Sequence, residues 1–88
     1  MTKPKGITYA EVQANKEFQH VMSILSQQNG EPKLVGGLVE RGWTNHDIDI
    51  AVCREGIKIP LYLLWLRFGR RWFPVSLSIV LKNEVVKV

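Results

Sequence analysis

The chain lacks most of what would place it in a specialised class. Cys53 is its only cysteine, so no internal disulfide can form, and no second Cys or His stands at zinc-site spacing from it. That points to a reducing, cytoplasmic setting and away from structural zinc. Long hydrophobic runs are missing: the longest, residues 61–66, is far too short to span a bilayer. The polar start Thr2-Lys3-Pro4-Lys5 leads into no apolar stretch and does not read as a signal peptide, so a soluble protein without a membrane role is expected. Neither charge sign dominates. Twelve Lys and Arg against eight Asp and Glu leave +4, a mild positive field that suits polyanions, with nucleic acid and nucleotide phosphate equally open. Repeats, linkers and low-complexity segments are absent, and a hydrophobic share of 45% excludes a disordered or fibrous chain. Its 88 residues fit a single domain, 1–88, with one modest core. Little chain remains for a second domain, a part that a partner or a homodimer would supply.

What is present falls into an ordered series. Thr8 and Glu11 have capping-box spacing, in which each side chain satisfies a free N–H of the other residue, so a helix starts at Thr8. Val12, Phe18, Val21, Met22 and Leu25 give it one apolar stripe, and Asn29-Gly30 with Pro32 stops it. Lys33-Leu34-Val35 reads as a strand entering a turn at Gly36-Gly37, followed by a short helical turn over 38–42 and a loop over 43–46. Residues 47–52 alternate at period two, a second strand with both aspartates on one face. Pro60 and the spacing of Leu61, Leu64, Trp65 and Phe68 predict a second long helix ending at Gly69-Arg70-Arg71. A third strand follows from Val75, Leu77, Ile79 and Leu81, and Asn83 turns the chain into a last strand over 85–88. The expected fold class is α+β, a small mixed sheet of three to four strands with two main helices packed against it.

The run Leu34-Val35-Gly36-Gly37, nine further residues, then Asp47-Ile48-Asp49-Ile50 resembles the signature of the DNA polymerase beta nucleotidyltransferase superfamily. The double glycine looks most like the heads of CCA-adding and poly(A) polymerases, and Arg41-Gly42 resembles the Arg-Gly of the minimal nucleotidyltransferases that pair with helical proteins. The motif covers about a fifth of the chain, and the helix-strand-strand-helix-strand order around it extends the likeness. The resemblance implies a nucleotidyltransferase: magnesium held by Asp47 and Asp49, a nucleoside triphosphate bound near Gly36, Gly37, Arg41 and Thr44, and transfer of a nucleoside monophosphate to a hydroxyl on a nucleic acid, protein or small molecule.

The residue types have a chemical reason of their own. Aspartates one residue apart on a strand point the same way, and carboxylate oxygens suit magnesium. Glycines ending the preceding strand remove side chains that would keep a phosphate from the backbone. The resemblance also implies a third carboxylate on the next core strand, where this chain offers Ser76 and Ser78; Glu84 fills that role only in a shifted strand. Two other readings stay open: a catalytically silent nucleotide-binding or partner-binding module of the same fold, and a small basic nucleic-acid-binding protein using Arg67, Arg70 and Arg71 around Trp72. Asn45, His46 and His20 read as loop and helix residues rather than ligands.

Overall fold

The structure, a computed structural model, describes residues 6–80. Strand β1 (Ile7–Thr8) runs into helix α1 (Tyr9–Ala14), helix α2 (Lys16–Gln27), strand β2 (Lys33–Val35), helix α3 (Gly37–Arg41), strand β3 (Trp43–Thr44), strand β4 (Ile48–Val52), a 3-10 turn (Leu61–Leu63) and the hairpin of β5 (Trp65–Phe68) and β6 (Arg71–Ile79). This is a small α+β protein. Its four-stranded sheet has the order β2-β4-β6-β5, and a two-stranded ribbon joins β1 to β3. The four-stranded sheet is mixed: β4 pairs antiparallel with β2 and parallel with β6, and β6 pairs antiparallel with β5. Among the described residues no helix is long and apolar enough to cross a membrane.

The capping box forms as the spacing requires. Glu11 N–H donates to the Thr8 hydroxyl at 3.1 Å and Thr8 N–H to the Glu11 carboxylate at 2.8 Å. Replacing Thr8 by alanine removes one of these bonds and is expected to cost about 1 kcal/mol, measurable as a lower urea midpoint with unchanged slope. The helix that begins there is interrupted at Asn15, whose backbone is extended and whose side chain caps a second helix by accepting from Phe18 N–H at 2.8 Å. The same amide donates to the Arg67 carbonyl at 3.1 Å, so the break ties the helices to the β5 edge.

Side-chain alternation divides the sheet into two faces. Leu34, Ile48, Ile50, Val52, Leu66, Phe73 and Val75 point to the face where Val12, Phe18, Val21 and Leu25 of α1 and α2 pack, and together they form the core. Phe68 meets Phe73 edge to face at 5.7 Å.

Four expectations need correction. The second long helix over 61–68 is absent: its first residues make a 3-10 turn and the rest is β5, turned by Gly69-Arg70 into β6. The expected two main helices therefore reduce to α2 with the short α1 and α3. Strand β6 starts at Arg71 rather than Val75. Pro74 fits inside it because the parallel ladder to β4 begins one residue later, at Val75, whose own N–H turns the other way to the Leu64 carbonyl. Finally, the loop over 43–46 opens with a strand, since Trp43 and Thr44 pair with Thr8 and Ile7. The last strand, over 85–88, and Glu84 lie outside the described residues.

Candidate metal and nucleotide site

The outer face of the sheet carries what the core face does not. In register, Val35 lies beside Asp49, Asp49 beside Ser76, and Ala51 beside Ser78. Paired positions share a face, so Asp49 stands in the middle of the sheet between a half-buried valine and a half-buried serine. Ile48 and Ile50, fully buried on the other side, fix the strand that presents it.

Asp47 comes to Asp49 from the residue just before β4. The Asp49 carboxyl is raised above its ordinary value of 3.8, first by burial, then by the charge of Asp47, then by a hydrogen bond that protonated Asp49 gives to Asp47. The two carboxyl groups therefore act on each other directly. Thr44 holds the approach to them. Its side chain, 4% exposed, accepts from His46 N–H and donates to the Asp47 carbonyl, each at 3.2 Å, and so clamps residues 44–47 into one turn.

Gly36 closes the other side. It has φ +78° and ψ −156°, a region that side-chain-bearing residues rarely enter, and a Cβ there would run into Asp49 Oδ2. The glycine lets the end of β2 pass directly against the carboxylate. One residue on, Gly37 is covered by the Arg41 guanidinium, which also lies 4.8 Å from the centre of the Trp43 ring and donates to the Trp43 carbonyl at 3.4 Å. Of the residues singled out by sequence, Asp47, Asp49 and Gly36 thus form one cluster, and Gly37 with Arg41 forms its neighbour. Thr44 acts from beneath through the Asp47 backbone.

Two converging carboxylates are costly unless a proton or a cation sits with them. The donor set suits a magnesium ion, which needs only one or two protein carboxylates and takes its remaining ligands from water and substrate phosphates. Among the described residues no third His, Cys, Asp or Glu joins the pair. Strand β6 carries serine at the position beside Asp49 and has no acidic residue along its length.

The raised Asp49 carboxyl has a stability consequence. The folded state holds this proton more tightly than the unfolded chain, so ionised Asp49 destabilises the fold, and that loss accumulates as pH rises from 3.8 through the higher folded value. Asp49→Asn is expected to be more stable than the parent at pH 7 without metal, with the advantage shrinking as pH falls toward 4; urea melts at both pH values check this. Magnesium should raise the melting temperature of the parent and leave the variant unmoved.

Sequence reasoning named Trp72 among the arginines but missed Trp65, which it set on a helix. Trp65 and Trp72 share the outer face with Asp49, half-exposed at 53% and 55%. The signal was the alternation of Trp65 and Arg67 with Leu66 and Phe68, which the helical spacing masked. No family model, curated protein or solved structure matches the chain.

Proposed function

We propose that this protein is a magnesium-dependent nucleotidyltransferase that moves a nucleoside monophosphate from a nucleoside triphosphate to a hydroxyl acceptor. The observation that supports it is the convergence of Asp47 and Asp49 against Gly36 on the outer face of the sheet. Asp47 and Asp49 would hold the cation through their carboxylate oxygens, a donor type that suits magnesium. Bound there, magnesium would neutralise charge on the triphosphate. Gly36 leaves the rim beside Asp49 free of a side chain, so a polyphosphate can lie close to the carboxylates. Thr44 fixes the Asp47 backbone, and Ile48 and Ile50 keep both carboxylates aimed outward. In the reaction the acceptor oxygen bonds to the α-phosphorus, the bond from that phosphorus to the bridging oxygen breaks, pyrophosphate leaves, and the hydroxyl proton passes to solvent.

Ser76 favours a second reading. A serine beside Asp49 is a weak metal ligand and a poor base, which suits a nucleotide-binding module without turnover. The deciding experiment incubates the protein with nucleoside triphosphates and candidate acceptors. Pyrophosphate released with magnesium and not with EDTA supports transfer; triphosphate binding with no pyrophosphate supports the silent module.

A further inference from the structure

The β5–β6 hairpin places an unusual set of side chains on the face that carries the aspartates. Trp65 pairs with Pro74 and Arg67 with Trp72, so all four point to the outer face, while Leu66 and Phe73 fill the core behind them. Trp65 and Trp72 are diagonal neighbours across the two strands, about 7–8 Å apart at the backbone, and each keeps roughly half its surface in water. Burying an indole is strongly favourable, so two left open on a rigid strand pair are surfaces for something flat. The platform is fixed from below by the buried Leu66 and Phe73 and from the side by the Asn15 amide on the Arg67 carbonyl.

Charge decides what that flat group belongs to. Arg67 stands directly beside Trp72, its Nε–H donating to the Gly69 carbonyl at 2.9 Å, which sets the direction of the guanidinium. Arg70 occupies the exposed turn, and the whole chain carries +4. Indoles alternating with arginine suit stacked bases joined by phosphates, whereas a duplex hides its base faces. The same strand leads to the carboxylates: Trp72, Pro74 and Ser76 follow at every second residue of β6, and Ser76 lies beside Asp49.

From this arrangement we infer that a single-stranded nucleic acid lies across the outer face, with bases stacked on Trp65 and Trp72 and its terminal hydroxyl directed to Asp47 and Asp49. The binding stands on the hairpin alone; that the strand is the acceptor rests on the transferase reading above.

The test is binding of fluorescein-labelled single-stranded RNA and DNA oligonucleotides, followed by anisotropy in EDTA without nucleotide, with a duplex as the comparison. Both indoles are exposed, so Trp65→Ala and Trp72→Ala should keep the parent's circular dichroism and melting temperature, and Trp72→Phe retains a smaller stacking surface. Each alanine variant is expected to weaken single-strand binding about tenfold or more, and Trp72→Phe less. Arg67→Ala should weaken it less and lower the salt slope by about 0.7. Preference for RNA or DNA names the source of the strand. Absence of single-strand binding at low salt, binding unchanged in both alanine variants, or equal affinity for duplex overturns the inference.

The acceptor role is read separately. With magnesium and triphosphate the labelled strand should lengthen, and Trp72→Ala should raise its KM with kcat kept. Pyrophosphate release to other acceptors while the bound strand stays unextended overturns the acceptor role. Strand binding that needs both indoles, with no pyrophosphate released to any acceptor, overturns the transferase reading and leaves the binding inference supported.

Discussion

Asp47→Ala is expected to lower magnesium-dependent pyrophosphate release by roughly 10²- to 10³-fold, the rate equivalent of about 3–4 kcal/mol. Asp47 belongs to a carboxylate pair whose mutual repulsion is felt in the raised Asp49 carboxyl, and removing one member halves the anionic charge available to a divalent cation. Its side chain takes no part in the core, which is built from the other face of β4. The variant should therefore fold normally and melt at or above the temperature of the parent without metal, because the repulsion is gone. A loss of activity accompanied by a normal fold and a lost magnesium response is the expected combination. Unchanged release would remove Asp47 from the chemistry.

Gly36→Ala should damage both stability and activity. The backbone there has φ +78° and ψ −156°, essentially a glycine conformation, at a cost of about 1–3 kcal/mol for any other residue. The new methyl group would also displace the Asp49 carboxylate, so turnover should fall at least tenfold as the aspartates are driven apart. Gly42→Ala separates the two effects. Gly42 also has a positive φ, at +89°, yet nothing lies within 4 Å of where its Cβ would be. That variant should lose about 1–2 kcal/mol of stability, from the backbone alone, and keep its activity. Equal activity losses in the two would show that the contact with Asp49 is irrelevant.

The features that were legible in the sequence rest on local rules. A capping box needs only Thr8 and Glu11, and alternation along β4 sets the face of Asp49, although Asp47, read as the first residue of that strand, lies just ahead of it. The features that were not legible depend on partners distant in the chain. Apolar residues at 61, 64, 65 and 68 fit a helix, while Trp65 and Arg67 alternating with Leu66 and Phe68 fit a strand. What settled the matter was a neighbour: β6 offers a ladder from Arg71 onward, and Gly69-Arg70 is a two-residue turn of the kind that joins paired strands. The break at Asn15 was hidden similarly, because a capping asparagine inside an apolar stripe is recognised only by its bond to Phe18.

The candidate site follows the same division. Sequence spacing named its acidic residues, but the meeting of Gly36 and Asp49 depends on the register that sets Val35 beside Asp49. Thr44, which the resemblance sets near the triphosphate, depends on a contact of the folded chain for a related reason. A threonine before a strand can face ligand or tie a turn, and only the buried hydroxyl bridging His46 N–H and the Asp47 carbonyl places it under the loop.

Crystals soaked with manganese and a nonhydrolysable nucleoside triphosphate would test the central idea most directly. The anomalous map should show a peak between the carboxylates of Asp47 and Asp49, with phosphate density passing over Gly36. Ordered triphosphate elsewhere on the molecule, with no anomalous peak at those carboxylates, would contradict it.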